Sequence, residues 1–130
     1  MDVVWYAPQS SKRVSISQRP WGTYEILAEA DGYKVKRIVV NPGERLSLQS
    51  HHHRSELWIV VEGQGVVTLE SKQSKVGYNS VVSIPAEMKH RMTNDSNAPL
   101  VFIEVQTGDS FEEQDIIRYS DDYGRIKDEK

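Results

Sequence analysis

The segment from Gln49 to Glu56 carries the densest set of possible metal ligands in the sequence. Gln49 and His51 lie two residues apart on a predicted strand, so their side chains leave the same face. Glu56 begins the next predicted strand, and His90 comes much later. Two imidazoles, a carboxylate and an amide oxygen suit one divalent cation, with Zn²⁺ favoured and Mn²⁺, Co²⁺, Ni²⁺, Fe²⁺ or Mg²⁺ as alternatives. We therefore predict a metal site formed by Gln49, His51, Glu56 and His90.

The three consecutive histidines, His51 to His53, leave a second interpretation open. Such a run can also belong to a surface loop, and only alternate residues of a strand share a face. We take His51 as the ligand and expect His52 to point away, while His53 can lie at the rim of a pocket. On local spacing alone, the surface loop and the metal site are equally good interpretations.

The elements that must position these residues are predicted to be strands. Short apolar runs are separated by turns such as Asp31-Gly32, Asn41-Pro42-Gly43 and Gly63-Gln64-Gly65. We count about eight runs, without 3.6-residue periodicity before residue 110, which is typical of an all-β sandwich or barrel. Ser110, followed three residues later by Glu113, predicts one short helical turn near the C-terminus.

Composition excludes several classes of function. The sequence has 130 residues, a net charge of −3 and no cysteine, so disulfides, thiolate nucleophiles and cysteine zinc sites are excluded. No signal peptide, membrane span or basic nucleic-acid footprint is recognisable. We expect a cytoplasmic, single-domain protein that binds neither nucleic acid nor membrane. The predicted parts are an N-terminal arm (1–18), a barrel (19–120) and a charged tail (121–130).

Two spaced motifs resemble those of the cupin family. The first is matched by Gly43, Gln49-x-His51, Glu56 and Gly63, and the second by Gly77, Pro85, His90 and Asn94. Gln49 stands where the family usually has its first histidine, and Glu87 replaces a glycine. The amide oxygen of Gln49 can still bind a metal ion. The resemblance therefore implies a jelly-roll barrel, the double-stranded β-helix of cupins, with one bound metal.

A closer resemblance covers nearly the whole chain. The segments that carry it are Arg19–Tyr24, Tyr33–Ile38, Pro42–Trp58, Ile84-Pro85, Ile103–Gly108 and Asp122–Arg125. They resemble the C-terminal isomerase domain of the type II phosphomannose isomerases, which usually follows a mannose-1-phosphate guanylyltransferase domain. The resemblance implies a mannose-6-phosphate isomerase, an aldose–ketose isomerase that forms fructose 6-phosphate. Because the nucleotidyltransferase half is not in this sequence, we expect no GTP or GDP-mannose chemistry.

An isomerase of this kind needs a base that moves a proton between two sugar carbons. Glu104 lies in an apolar run, and desolvation would raise the pKa of a carboxyl group that faces a pocket. A solvated position on the outer face is the alternative. Lys36 and His53 are rival candidates.

The phosphate of the substrate calls for an arginine, whose fork matches phosphate oxygens. Arg54 follows the ligand strand, Arg125 lies in the tail motif, and Arg45 shares the alternation face of Gln49. A surface ion pair is the alternative for each of them.

Three functions compete at this point. They are a metal-dependent isomerase, a non-catalytic cupin that binds a sugar or sugar phosphate, and a metal-dependent cupin oxygenase. Oxygenases of this type often have more histidine ligands, so Gln49 argues against the third. We expect a small sugar phosphate as the ligand and a homodimer as the assembly.

Overall fold

The computed structural model describes residues 16–126, which form eleven strands and no helix. The strands are β1 (Ile16–Arg19), β2 (Gly22–Ala30), β3 (Tyr33–Val40), β4 (Leu48–Ser50), β5 (Arg54–Glu62), β6 (Gly65–Leu69), β7 (Lys72–Val76), β8 (Val81–Ile84), β9 (His90–Thr93), β10 (Leu100–Gly108) and β11 (Ile117–Ser120). One antiparallel sheet has the order β1-β2-β3-β10-β5-β8, and the other has the order β11-β4-β9-β6-β7. The all-β prediction is confirmed.

Two of the strands were not among the predicted runs. β1 lies in a segment without a clear sequence pattern, and β7 forms the edge of the five-stranded sheet, where four of its five residues are exposed. An edge strand with polar residues on both faces has no apolar alternation, so it gives no strand signal.

The helical turn predicted from Ser110 is wrong. The segment makes an isolated turn in which the backbone N–H of Asp115 donates to the carbonyl oxygen of Glu112, at 3.0 Å. This segment crosses from β10 in one sheet to β11 in the other. The carboxylate of Asp115 also accepts the backbone N–H groups of His52 and His53, both at 2.9 Å. These long-range bonds tie the segment to the loop that follows β4 and outweigh the local capping pattern.

The turn predicted at Gly63-Gln64-Gly65 needs glycine, but the prediction that it forms a hairpin is wrong, because β5 and β6 lie in different sheets and do not pair. The φ of Gly63 is 82°, and a Cβ atom there would lie 2.3 Å from the carbonyl oxygen of Pro99. Other residues are disfavoured on both counts. The turn carries the chain from the six-stranded sheet to the five-stranded sheet.

The inward faces of the strands divide the barrel interior into two halves. We call one the apolar half; its centre is formed by side chains without solvent exposure: Val40, Val60, Met92, Leu100 and Phe102. We call the other the polar half; its inward-facing residues include Lys36, Glu56, His90, Glu104 and Gln106. Register keeps the halves separate, because Phe102 lies opposite Ile38 and Val60, whereas Glu104 lies opposite Lys36 and Trp58.

The described residues contain no helix with the length and apolarity needed to cross a membrane. The predicted boundaries of the arm, barrel and tail stay predictions, although residues 16–18 of the predicted arm belong to β1. The predicted homodimer also stays a prediction.

Candidate metal centre

Three predicted ligands meet in the polar half of the barrel. Glu56 comes from β5 in one sheet, His90 from β9 in the other, and His51 directly follows β4. The Nε2 atoms of His51 and His90 each lie 3.4 Å from a carboxylate oxygen of Glu56. All the candidate ligand atoms of these three residues lie within 4.8 Å of one another, and all three residues are buried. Strands that are distant in sequence thus bring two imidazoles to one carboxylate.

Each imidazole is oriented by a backbone carbonyl group. His51 Nδ1 lies 2.6 Å from the carbonyl oxygen of Asp115, and His90 Nδ1 lies 3.0 Å from that of Met88. Because a carbonyl oxygen only accepts, each Nδ1 carries a hydrogen, and Nε2 is the nitrogen that each ring can offer to a metal ion. Burial lowers the pKa of His51 to about 4. His51 is therefore a neutral imidazole at neutral pH, the form that binds a metal.

Two buried carboxyl groups share hydrogen-bond donors beside the imidazoles. The indole N–H of Trp58 reaches Glu56 at 3.2 Å and Glu104 at 3.1 Å, and the Gln106 amide reaches them at 3.3 and 3.1 Å. Burial and the charge of Glu56 raise the pKa of Glu104. Burial opposes ionisation of Glu56 as well, but the hydrogen bond and charge of His90 lower its pKa overall. The opposite directions of the two shifts favour the negative charge on Glu56 over Glu104.

Gln49, the fourth predicted ligand, lies directly opposite His90 in the pairing of β4 with β9. It lines the same pocket as the other three residues, and its amide nitrogen donates to the carbonyl oxygen of Ser47 at 3.4 Å. The structure brings all four predicted residues into one pocket. Coordination by the Gln49 oxygen stays a prediction.

The donor set fits a divalent cation. Two imidazole nitrogens and one carboxylate form a ligand set that zinc enzymes use with a position left for water or substrate. The carbonyl contacts at both Nδ1 atoms supply the outer hydrogen bonds that metal-binding histidines need. A cation held by His51, Glu56 and His90 would act as a Lewis acid on an oxygen of a bound ligand.

The pocket also contains buried polar atoms that lack a hydrogen-bond partner. Among the described residues, four such side-chain atoms are found: Ser47 Oγ, Arg54 Nε, Gln106 Oε1 and Arg118 Nε. All four residues line this pocket. Buried polar groups without partners are costly, so their concentration here indicates a site for a polar ligand.

The three predicted bases separate between the pocket and the surface. Glu104 and Lys36 line the pocket and lie opposite each other in the pairing of β10 with β3. His53 is not brought to the pocket: its side chain is 57% exposed and lies 3.6 Å from Asp109. Side chains alternate between the two faces of a strand only within the strand. His53 lies in the loop beyond the end of β4, so alternation does not direct its side chain into the pocket.

The three predicted phosphate-binding arginines also separate. Arg54 is buried in the pocket, where it donates to the carbonyl oxygen of Glu112 at 3.1 Å, and Arg125 lies in the wall of the pocket. The prediction that Arg45 points inward is not supported. Its guanidinium group binds both carboxylate oxygens of Asp122 at the surface, at 2.7 and 2.9 Å.

Several residues of the pocket were missed in the sequence: Arg19, Ser47, Gln106, Glu113 and Arg118. Arg118 lies on β11, directly opposite Gln49. Alternation of Ile117 and Tyr119 with Arg118 and Ser120 assigns Arg118 to one face of a strand, but the strand that pairs with β11 cannot be read from this pattern.

Comparison with known proteins identifies the family. A family profile described as "Mannose-6-phosphate isomerase C-terminal" matches residues 8–121. The chain is 45% identical over 108 residues to a mannose-1-phosphate guanylyltransferase of Escherichia coli K12, and covers 23% of it with 83% of its own length. It is 47% identical over 107 residues to the alginate biosynthesis protein AlgA of Pseudomonas aeruginosa, where the shares are 22% and 82%. The chain thus spans less than a quarter of these curated relatives.

Solved structures support the fold. The capsular polysaccharide assembling protein CapF of Staphylococcus aureus superposes with a TM-score of 0.73 at 20% identity, covering 85% of this chain and 35% of CapF. A sugar phosphate isomerase of the cupin superfamily from Silicibacter pomeroyi gives a TM-score of 0.61 at 23% identity, covering 65% and 58%. The cupin fold predicted from the two motifs is confirmed.

The predicted activity is corrected by the same comparisons. The curated relatives are named mannose-1-phosphate guanylyltransferase, alginate biosynthesis protein and xanthan biosynthesis protein, and not phosphomannose isomerase. The interpretation of this chain as a mannose-6-phosphate isomerase is therefore wrong. That interpretation assigned to the chain the activity of the domain family that it resembles, and a shared fold does not determine the activity. The chain belongs to the family of mannose-6-phosphate isomerase C-terminal domains.

Proposed function

We propose that this chain is the metal-binding cupin domain of a mannose-1-phosphate guanylyltransferase system, and that it binds a phosphorylated hexose beside a Zn²⁺ ion. The observation that carries the proposal is the meeting of His51, Glu56 and His90 in one buried polar pocket. Zn²⁺ is the proposed ion because a two-histidine, one-carboxylate set is typical of zinc sites that retain an open position.

The lining of the pocket supports a sugar as the ligand. Beside the metal-binding groups it presents amide, hydroxyl and indole groups, from Gln49, Ser47, Gln106 and Trp58. The unpartnered atoms Ser47 Oγ and Gln106 Oε1 are available to accept hydrogen bonds from hydroxyl groups. A polyhydroxylated ligand has the complementary donors, whereas an apolar ligand would leave both oxygens without a partner.

The charge of the pocket supports a phosphate on that sugar. Four arginines line it, Arg19, Arg54, Arg118 and Arg125, together with Lys36. Guanidinium groups match phosphate oxygens in geometry and in charge. The names of the relatives point to mannose 1-phosphate as the first ligand to test. Guanylyl transfer itself is not assigned to the chain alone, because it spans less than a quarter of those relatives.

Calorimetry on the full chain tests the proposal. After treatment with EDTA, Zn²⁺ is titrated into the protein, and mannose 1-phosphate is then titrated into the zinc-loaded and the metal-free forms. We expect one Zn²⁺ per chain, tighter binding of the sugar phosphate to the zinc-loaded form, and weaker binding of unphosphorylated mannose. Equal affinity with and without zinc, or the absence of any binding, would contradict the proposal.

Two histidine variants provide a matched pair. His90→Ala removes a proposed ligand, and we expect it to weaken Zn²⁺ binding by more than about 100-fold, beyond the usual effect of losing an outer hydrogen bond. His53→Ala removes an exposed imidazole that lies outside the pocket. We expect it to bind Zn²⁺ like the parent chain. Equal losses in the two variants would show that the ion binds elsewhere.

A further inference from the structure

Arg118 lies in a row of inward-facing residues that begins at the metal centre. It is directly opposite Gln49 in the pairing of β11 with β4, and Gln49 is directly opposite His90 in the pairing of β4 with β9. Neighbouring strands lie about 4.8 Å apart. The backbone of Arg118 is therefore two strand spacings, about 10 Å, from that of His90, and Gln49 lies between them on β4.

Arg118 is half-buried, and the buried Nε atom of its guanidinium group has no partner within the described residues. Within residues 16–126 it makes no hydrogen bond and no ion pair, and its Nε atom is buried. Burial and the charge of Arg125 lower the pKa of Arg118. A buried N–H group without an acceptor is costly, so an acceptor supplied by a ligand in this pocket would stabilise the Arg118 side chain.

The other arginines of the pocket and the predicted Arg45 differ in this respect. Arg54 lies 3.7 Å from the carboxylate of Glu56, and Arg19 lies 3.6 Å from that of Glu113. Arg125 and Arg45 each make two hydrogen bonds to one aspartate, Asp121 and Asp122. Within the described residues, Arg118 is the pocket arginine that makes no ion pair, although the charges of Asp121 and Glu113 act on it from a longer distance.

We propose that Arg118 binds the phosphate group of the sugar ligand and determines the preference of the pocket for phosphorylated sugars. This inference rests on the proposed function and deepens it. The ligand lies with its hydroxyl oxygens toward the centre of His51, Glu56 and His90 and with its phosphate toward β11. Arg19 and Arg125 flank the same wall and add positive charge. A neutral sugar leaves the Arg118 guanidinium group unpaired, so the same pocket binds it less well.

Substitutions of Arg118 test the assignment in the full, zinc-loaded chain. Arg118→Gln removes the charge, and we expect it to weaken mannose 1-phosphate and mannose 6-phosphate binding by about 10- to 100-fold, the range for a lost charged hydrogen bond. Arg118→Lys keeps the charge without the fork and should give an intermediate affinity. Affinity for Zn²⁺ and for unphosphorylated mannose should not change. Arg45→Gln removes an equal charge from the surface and should leave all affinities within about twofold.

A titration with inorganic phosphate, followed by ³¹P NMR, separates this inference from the proposed function. Phosphate should bind the parent chain and bind Arg118→Gln more weakly; this outcome supports the role of Arg118 even if no sugar phosphate binds. If Arg118→Gln binds the sugar phosphates and inorganic phosphate like the parent chain, the inference is overturned while the proposed function stands. If the parent chain binds neither the sugar phosphates nor phosphate, both are overturned. A loss of Zn²⁺ binding in Arg118→Gln would show a structural role instead and would also overturn it.

Discussion

The apolar and polar halves of the barrel are built from the same strands but differ in how completely their atoms are partnered. On β10, the inward-facing residues Leu100 and Phe102 lie in the apolar half, and Glu104 and Gln106 lie in the polar half. The apolar side chains pack against one another without solvent exposure. The polar half holds all four unpartnered buried atoms of the described residues.

This difference separates stability from binding. Apolar burial is favourable without any ligand, so the apolar half can be complete in the free protein. Buried polar atoms are costly until they are paired, so the polar half improves when a ligand supplies the missing partners. Substitutions in the apolar half should therefore change the free energy of unfolding, whereas those of the unpartnered residues in the polar half should change affinity.

Phe102→Ala should break the apolar half and give the largest effect on stability. Phe102 is fully buried, and its ring centroid lies 4.9 Å from that of Trp58. Truncating a buried phenylalanine costs about 3–5 kcal/mol of unfolding free energy. Urea denaturation measures this loss, and the folded fraction should still bind Zn²⁺ with unchanged affinity. Tyr78→Ala, at a residue with 74% exposure, should change stability by about 0.5 kcal/mol or less. A large fall in Zn²⁺ affinity in Phe102→Ala would show that the halves are coupled.

Asp115→Ala should weaken Zn²⁺ binding in the polar half without removing a proposed metal ligand. The side-chain carboxylate of Asp115 accepts hydrogen bonds from the backbone N–H groups of His52 and His53. The backbone carbonyl oxygen of Asp115 accepts a separate hydrogen bond from His51 Nδ1. Without the carboxylate, the loop that carries His51, a proposed ligand, loses two hydrogen bonds. We expect Zn²⁺ affinity to fall by about 10- to 100-fold, as for outer-shell substitutions at other metal sites.

Two further variants sharpen the Asp115 prediction. Asp115→Asn retains one acceptor oxygen and should lose less Zn²⁺ affinity than Asp115→Ala. Asp109→Ala removes a carboxylate that is 84% exposed beside His53, and Zn²⁺ affinity should stay within about twofold of the parent chain, as expected for an exposed pair. Unchanged Zn²⁺ binding by Asp115→Ala would mean that the carbonyl contact alone orients His51.

The sequence predicts the faces of strands well and the partners of strands poorly. His51, Glu56 and His90 could be predicted because the spacing of the cupin motifs encodes a pairing that local alternation does not. The prediction that Arg45 points inward was wrong because it extended the side-chain alternation of Gln49 back to residue 45, although β4 begins only at Leu48. Arg118 was missed because its importance comes from its register with Gln49 across two distant strands. Separation of the interior into halves likewise depends on register, so it becomes visible only in the structure.

Asp121→Asn should give a smaller effect on stability that depends on pH. Arg125 donates to both Asp121 carboxylate oxygens, at 2.9 and 2.7 Å, and this ion pair holds Arg125 in the wall of the polar half. These hydrogen bonds lower the pKa of Asp121, although burial opposes them. A carboxyl group whose pKa is lowered by folding stabilises the fold above its unfolded pKa of about 4. That stabilisation is lost as the pH falls through the folded pKa.

Urea denaturation at pH 7 and near pH 2 checks the sign of this effect. Asp121→Asn should cost on the order of 1 kcal/mol at pH 7 and less at low pH, where the parent carboxyl group becomes protonated as well. Phe102→Ala should cost the same at both pH values, because no titrating group is lost. If the unfolding free energy lost in Asp121→Asn did not vary with pH, the ion pair between Asp121 and Arg125 would not stabilise the polar half. The contrast between the two variants therefore separates electrostatic stabilisation in the polar half from packing in the apolar half.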